Sequence, residues 1–197
     1  SSSINLNKCS HNTIIRLYFI TKYDRSPPLK YLRFEEIKDL YFKMVLSDIL
    51  IPEAVVPLIR TASKKRLLQE LSINISTVYN LNHSEVFSAL QERENLGPTG
   101  MGHGVAIPHA KISSIKSVRG LFARLVKPID FGAMDSQNVD LVFVLIAPYE
   151  SGANHLKALS KVSRLLRNKS TCDKLRSTVD KSALFSILTT ETEIKAA

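Results

Sequence analysis

Two histidines stand where an imidazole could act as a nucleophile or hold an anion. His109 follows Pro108 at the end of the short apolar run 105–107. Proline fixes the backbone and lacks an N–H, and a hydrogen bond to one ring nitrogen would leave the other as a nucleophile. His155 falls in the first turn of a predicted helix, where free N–H groups favour an anion. The pair could bracket a phosphoryl group, although each ring could equally be structural.

A glycine-rich segment precedes the first of these histidines. Four of the seven glycines, Gly97, Gly100, Gly102 and Gly104, fall within eight positions. Glycine permits positive φ, and such a loop can present N–H groups to an anion. No Lys-Ser/Thr pair follows the last glycine, and the spacing differs from the dinucleotide-binding pattern. Taken alone, the segment predicts an irregular turn between a helix and a strand.

Other catalytic chemistries receive less support from the sequence. His103 could join the two histidines as a third zinc ligand, which keeps a metal site open as an alternative. The two cysteines, Cys9 and Cys172, have no metal-ligand spacing, and no serine lies in a nucleophile elbow.

Composition excludes several classes of protein. The 197 residues are 44% hydrophobic, and the net charge is +9. That hydrophobic content rules out general disorder, and without a run of 18 apolar residues we expect no membrane insertion. The densest basic cluster, residues 64–66, lacks interleaved aromatic residues and is typical of a solvated helix face. We therefore expect no nucleic-acid partner. Two isolated cysteines favour a reducing compartment and a cytoplasmic location.

The chain divides at Met44. Residues 1–43 contain four of the six tyrosines and three of the eight phenylalanines, whereas regular helix and strand patterns begin directly after Met44. We interpret residues 1–43 as an N-terminal extension or a mis-assigned start, with a packed strand or helix as the alternative. Residues 44–197 form the predicted functional domain.

Strands and helices alternate along that domain. Helices are expected from Thr61 or Ser63 to about Val78, and from an Asn82 cap to about Leu96. An almost continuous apolar run over 141–146 indicates a central strand, whereas Pro57 indicates an edge strand. The predicted strands are 55–59, 105–109, 118–126 and 139–147.

The C-terminal third is predicted to be helical. Leu156, Leu159, Val162 and Leu166 recur at a spacing that places them on one helix face. Ser170 with Asp173 predicts the cap of the next helix, and Asp180 predicts the cap of the last one. Strands alternating with helices predict an α/β fold, with helices on both faces of one sheet.

Residues 97–111 resemble the signature of the type-2 IIA domains of the bacterial phosphoenolpyruvate-dependent sugar phosphotransferase system. The resemblance extends over nearly all of residues 44–197 and is closest to the nitrogen-regulatory group of that family. It implies the single mixed sheet of the mannitol-type IIA fold. Two positions depart from the usual signature: Pro98 replaces a serine and His103 replaces an asparagine, which puts the loop geometry in doubt. The other matching segments are 46–50, 63–68, 128–131, 139–143 and 155–159.

The resemblance also implies roles for individual residues. His109 would accept a phosphoryl group from an HPr-like phosphocarrier, and His155 would hydrogen-bond that group. Arg93 would stabilise its charge. Thr99 and the glycines Gly100, Gly102 and Gly104 would shape the pocket. The protein would be a phosphotransferase component rather than a stand-alone enzyme, and the transfer would need neither a metal nor a cofactor.

Two functions follow from the resemblance. In one, the phosphorylation state of His109 is sensed by regulatory target proteins, such as a kinase or a potassium transporter, in nitrogen, potassium or carbon regulation. In the other, the phosphoryl group passes to a fructose- or mannitol-type IIB domain for sugar uptake. We favour the regulator. A binding module that merely keeps the fold is a third possibility.

Overall fold

A computed structural model describes residues 45–151 and 153–190. Our interpretation of residues 1–43 lies outside the described residues, and the domain boundary at Met44 stays a prediction. The described chain opens with two 3₁₀ turns, Leu46–Asp48 and Pro52–Ala54. Within the described ranges, none of the helices combines the length and the apolar character needed to cross a bilayer.

Six strands form one mixed sheet: β1 Val55–Ile59, β2 Gly100–Gly102, β3 Val105–Ala106, β4 His109–Ile112, β5 Arg119–Ile129 and β6 Val139–Pro148. Their order is β1-β5-β6-β3-β2, and β4 also pairs with β6. Neighbouring strands are parallel in the pairs β1–β5, β3–β6 and β4–β6, and antiparallel in β2–β3 and β5–β6. The α/β prediction is therefore confirmed, as is the edge position of the strand that contains Pro57.

Strand β6 lies at the centre of the sheet. Its residues 141–147 are completely buried, as the continuous apolar run predicted. β5 pairs with one edge of β6, while β3 and β4 pair in succession with the other edge. The C-terminal end of β6 leads through a short loop into the helix that carries His155.

The single strand predicted over 105–109 is wrong, because the chain leaves the ladder at Ile107 and Pro108. Ile107 donates its N–H to the carbonyl of Thr99 (3.0 Å), and Pro108 has no N–H to donate. The second strand, β4, starts at His109, which pairs with Leu145. His109 is thus the first residue of a strand rather than the last.

Five helices occur in the described ranges: α1 Lys64–Tyr79, α2 His83–Asn95, α3 Ala153–Arg167, α4 Lys169–Ser177 and α5 Lys181–Thr189. Ser63, Asn82 and Asp180 cap α1, α2 and α5 as predicted, and the side chain of each accepts from the backbone N–H three residues ahead. The predicted Ser170 cap is wrong: the Asn168 side chain accepts from the Thr171 N–H (3.0 Å), so α4 begins earlier.

The buried face of α3 differs from the predicted one. Leu156 is 67% exposed, whereas His155 is only 8% exposed and shares the buried face with Ala158, Val162 and Leu166. The leucine spacing was misleading at its first position, because a histidine occupies the core-facing position instead. This rotation of α3 turns His155 towards the sheet.

Candidate functional site

Three elements meet where β4 begins. Arg93 is in the last turn of α2, His109 opens β4, and His155 is in the first turn of α3. β4 pairs with β6, and α3 follows β6 in the chain, so both histidines lie near the same end of the central strand. The structure therefore brings together the three residues that the sequence predicted for the chemistry.

The hydrogen bonds of His109 distinguish its two ring nitrogens. Nδ1 lies 2.9 Å from the carbonyl oxygen of Ile107. A carbonyl can only accept, so Nδ1 carries the proton and Nε2 keeps its lone pair. Arg93 Nε donates to that Nε2 at 3.1 Å. The lone pair on His109 Nε2 thus accepts a hydrogen bond from a guanidinium.

Arg93 is fixed from a second side. Its Nη1 donates to the carbonyl of Gly97 at 3.1 Å, in the turn that follows α2. The two bonds together orient the planar guanidinium across Nε2 of His109. The charge of Arg93 is therefore held next to the one nitrogen that can act as a nucleophile.

His155 completes the site with an unused polar atom. Its ring centroid lies 5.6 Å from that of His109, and the ring planes are tilted by 50°. Within residues 45–151 and 153–190, His155 Nε2 is buried without a hydrogen-bond partner, as is Ser151 Oγ just before α3. Because an unpaired buried polar group is costly, such atoms point to a missing ligand.

Both histidines are biased towards their neutral forms. Burial lowers the pKa of His109, and the nearby Arg93 lowers it further, against the opposing effects of the Ile107 hydrogen bond and the Glu94 carboxylate. Burial also lowers the pKa of His155, helped by the charges of His109 and Lys111. A neutral ring is what a nucleophilic imidazole requires.

Sequence reasoning missed two charged residues behind the site. Glu94 is only 8% exposed, and its carboxylate accepts from the backbone N–H and the hydroxyl of Thr99. Lys64 Nζ lies 2.6 Å from Glu94 Oε1, so Lys64 is not part of a solvated face as we expected. The one available signal was the position of Glu94 in the last helical turn before the glycine-rich segment.

The glycines extend away from the histidines. Gly100 and Gly102 bound β2, and Gly102 (φ +88°) and Gly104 (φ +77°) flank His103 in the hairpin turn. His103 donates its backbone N–H to Asp135, and the Gly104 carbonyl accepts from Asp140, five residues before Leu145. Five strand residues span roughly 16 Å. The structure therefore does not bring Gly102, His103 or Gly104 to the histidine pair.

A metal site would need several ligating side chains close together in the part of the chain that the structure describes. There, no group of three or more His, Cys, Asp or Glu side chains is arranged to hold an ion. The site is instead two imidazoles and one guanidinium, a set that suits an anion with several oxygen atoms.

The fold and this site describe an α/β domain in which the lone pair of an imidazole lies beside a fixed cation. The family model described as "Phosphoenolpyruvate-dependent sugar phosphotransferase system, EIIA 2" matches residues 48–191. The chain belongs to this family, as its signature indicated.

Individual relatives in this family include nitrogen regulatory proteins. The chain is 48% identical over 145 residues to a nitrogen regulatory protein of Bradyrhizobium diazoefficiens, covering 74% of this chain and 95% of the relative. It resembles the crystal structure of the nitrogen regulatory protein IIA-Ntr from Neisseria meningitidis (TM-score 0.70, 35% identity, 73% of this chain and 99% of that one). It also shares its fold with the Escherichia coli mannitol IIA solved with phosphorylated enzyme IIB (TM-score 0.59, 18% identity, 69% and 94%).

Proposed function

We propose that this protein is a phosphocarrier that accepts a phosphoryl group on Nε2 of His109. The observation that carries the proposal is the 2.9 Å contact between His109 Nδ1 and the Ile107 carbonyl, which leaves Nε2 with its lone pair. The lowered pKa of His109, caused first by burial, keeps that lone pair free of a proton at neutral pH.

The phosphoryl group passes directly from a histidine of the donor to His109, so no other residue has to act as a nucleophile. The Nε2 lone pair attacks phosphorus, the nitrogen–phosphorus bond of a donor phosphohistidine breaks, and its electron pair returns to the donor ring. The His109 ring then carries phosphate on Nε2 and a proton on Nδ1, so it is formally cationic. The Ile107 carbonyl accepts a hydrogen bond from that Nδ1–H and stabilises the charge.

Arg93 and His155 act on the phosphoryl oxygens in this proposal. Arg93 Nε now donates to His109 Nε2. When phosphorus occupies that nitrogen, the guanidinium is beside the incoming oxygens and can donate to them instead. His155 Nε2, buried without a partner among the described residues, gains a phosphoryl oxygen as its acceptor when it carries a proton. Both contacts strengthen as charge develops.

The surroundings of the site suit a protein donor. Leu96, Tyr149 and Leu156 are 85%, 65% and 67% exposed. Leu96 is three residues after Arg93, and Leu156 directly follows His155. The Tyr149 carbonyl, in the loop between β6 and α3, accepts from Lys111 Nζ at 3.4 Å. Exposed apolar side chains around a polar centre are typical of protein-binding surfaces. An HPr-like phosphocarrier would meet both requirements, an apolar contact and a phosphohistidine to deliver.

We further propose a regulatory role, in which partners respond to the phosphorylation state of His109. The names of the relatives most similar in sequence, nitrogen regulatory proteins, support this reading. A phosphoryl group adds about two negative charges beside Arg93 and Lys111, offset in part by the charge on the His109 ring, so phosphorylation makes the local potential less positive. Kinases or transporters in nitrogen, potassium or carbon regulation are the candidate targets, and the cytoplasm is the expected location.

The second candidate function is transfer to a sugar-specific IIB domain. The specific observation in its favour is the shared fold with the mannitol IIA that was solved together with phosphorylated enzyme IIB. The same phosphorylated His109 would serve as donor in that case. The two functions therefore differ in the protein that receives or senses the phosphoryl group, not in the site.

The test is a phosphorylation assay measured by intact mass. The full chain is incubated with phosphoenolpyruvate, Enzyme I and an HPr-like carrier, beside His109→Gln and the matched control His103→Gln. We expect one acid-labile phosphoryl group on the unsubstituted chain and on His103→Gln, and none on His109→Gln. Adding an unphosphorylated fructose- or mannitol-type IIB domain then distinguishes the functions, because only a sugar-uptake IIA passes the group on rapidly.

A phosphoryl group on His109→Gln would place the acceptor elsewhere, with His155 next to examine. A lack of labelling on every variant, while a known IIA domain is labelled in parallel, would reject the phosphocarrier and favour a binding module.

A further inference from the structure

Glu94 is a buried carboxylate that the proposed transfer does not use directly. It accepts from Lys64 Nζ at 2.6 Å, from the Thr99 N–H at 3.1 Å and from the Thr99 hydroxyl. Burying a charge is costly unless it is paired and fully hydrogen-bonded, and Glu94 meets that condition. The two hydrogen bonds from Thr99 to Glu94 hold Thr99 in place relative to the end of α2.

Two backbone hydrogen bonds connect Thr99 to the ring of His109. The Thr99 carbonyl accepts from the Ile107 N–H at 3.0 Å. The Ile107 carbonyl accepts from His109 Nδ1–H at 2.9 Å. The position of the group that selects the His109 tautomer therefore depends on where Thr99 is held.

We propose that Glu94 is a positioning residue for His109: through Thr99 and Ile107 it holds the carbonyl that keeps the proton on Nδ1 and the lone pair on Nε2. This inference rests on the proposed transfer to His109. Adjacent residues of α2 thereby control both ring nitrogens, since Arg93 contacts Nε2 directly while Glu94 acts on Nδ1 through two backbone groups.

Lys64 anchors this arrangement from the opposite side. Its Nζ also donates to the Phe131 carbonyl at 2.9 Å and lies 4.7 Å from the centroid of the Phe131 ring. Phe131 is completely buried just after β5. The carboxylate of Glu94 is thus tied through Lys64 to the segment that follows β5, as well as to the glycine-rich segment.

A carboxylate suits this position better than an amide. All three groups around Glu94 are donors, and a carboxylate offers only acceptors. A glutamine would place its NH₂ group towards one of those donors and lose the ion pair with Lys64. Glu94→Gln therefore changes the hydrogen bonding while nearly keeping the volume, which makes it the sharpest variant.

The experiment measures the tautomer and the transfer rate in the same full-length variants. Long-range ¹⁵N–¹H spectra of the histidine rings, assigned with His109→Gln, report which nitrogen of His109 carries the proton. Glu94→Gln is compared with Glu92→Gln, which removes the same charge from an exposed position on the same turn of α2. Thr99→Val, which loses the hydroxyl, gives a second route, and thermal unfolding verifies that each variant is folded.

We expect Glu94→Gln to populate the Nε2–H form of His109 and to lower the transfer rate at saturating phosphorylated HPr-like carrier by about 10- to 100-fold. The KM for that carrier stays within about 2-fold, since the Glu94 side chain is buried and is not available to contact the carrier. Thr99→Val shifts both readouts in the same direction by less, and Glu92→Gln shifts neither.

A folded Glu94→Gln with the tautomer and rate of Glu92→Gln would overturn the inference. Should Glu94→Gln fail to fold, an unchanged tautomer in Thr99→Val would overturn it instead. A failure of the proposed function is separate: the unsubstituted chain would then accept no phosphate, while the ring spectra would still report whether Glu94 sets the tautomer.

Discussion

An arginine lies close to a histidine residue near each end of β6, but the hydrogen bonding differs between the two ends. At the histidine end, Arg93, His109 and His155 are held close together, and His155 Nε2 has no partner among the described residues. At the hairpin end, Arg176 makes two 2.8 Å bonds to Asp140 and a third to the His103 carbonyl. We call this second group of three residues the hairpin cluster.

The difference lies in how the polar atoms are used. In the hairpin cluster, the donors of Arg176 are matched by carboxylate and carbonyl acceptors, so the contacts stabilise the turn. At the histidine end, one lone pair faces a guanidinium and another ring nitrogen is buried unpaired. An arginine beside a histidine residue therefore does not by itself distinguish the two ends. What distinguishes the histidine end is that ring nitrogens there could contact a ligand.

Replacing each of the two arginines, Arg93 and Arg176, by methionine should give the largest difference in the rate of phosphoryl transfer. Arg93→Met removes the cation beside His109 Nε2, and we expect the rate of phosphoryl transfer to fall by about 100-fold or more, as for loss of one charge-stabilising donor. Arg176→Met should leave that rate within about 2-fold. Single-turnover transfer from the phosphorylated HPr-like carrier measures both.

Equal losses of rate in the two variants would contradict the comparison. That result would mean that the hairpin cluster also controls the chemistry, or that Arg93 does not contact the phosphoryl group. Tm values recorded on the same samples separate either explanation from unfolding.

Stability should respond in the opposite way. Arg176→Met leaves the partly buried Asp140 without its bidentate partner and frees the His103 carbonyl, so we expect the free energy of unfolding to fall by about 2 kcal/mol. Denaturant titration measures this loss. Asp140→Asn should reproduce much of this loss. If Arg176→Met lost less unfolding free energy than Arg93→Met, the structural role of the hairpin cluster would be refuted.

The sequence was informative where local chemistry dominates. The apolar run of β6, the caps at Ser63, Asn82 and Asp180, and the position of Pro57 each determine a structural feature through neighbouring residues alone. The predicted trio of Arg93, His109 and His155 came from a family signature, and the structure brings these residues together. Their roles stay predictions until transfer is measured.

Other features depend on tertiary contacts that spacing does not reveal. Helix periodicity placed Leu156 inside, but packing against the sheet selected His155 instead. Lys64 and Glu94 are 30 residues apart, and only the fold makes them an ion pair. The break at Pro108 depends on the Thr99 carbonyl, which captures the Ile107 N–H from across the hairpin.

A glycine in the hairpin turn offers a smaller test of the same contrast. Gly104 has φ +77°, and an added Cβ would lie 2.5 Å from Arg176 Nη2 and 2.9 Å from Asp140 Oδ1. Gly104→Ala should cost about 1–2 kcal/mol of stability for the backbone conformation, with more from the close contacts. The extra part should become smaller in the Arg176→Met background, because the contact with Arg176 Nη2 is removed there while the contact with Asp140 Oδ1 remains. A double-mutant cycle measures that coupling, and additive losses would contradict it.

The smallest expected effect is a pH dependence that belongs to the histidine end. Burial lowers the pKa of both His109 and His155 below the ordinary value near 6.5. Above that value the rings are neutral in both the folded and unfolded chains. As the pH falls below 6.5, the unfolded chain takes up protons that the folded chain does not, so stability decreases until the lower folded-state pKa values are reached.

Thermal unfolding at pH 7.5 and pH 5.5 tests this linkage. The unsubstituted chain should lose more Tm between the two pH values than His155→Gln, which removes the more deeply buried of the two rings. His103→Gln is the matched control, because its backbone is held by Asp135 and Arg176 far from the buried pair, and its Tm loss should equal that of the unsubstituted chain. If His103→Gln instead reduced the pH dependence and His155→Gln did not, the sensitivity would belong to the hairpin turn, and burial of the two rings would not be its cause.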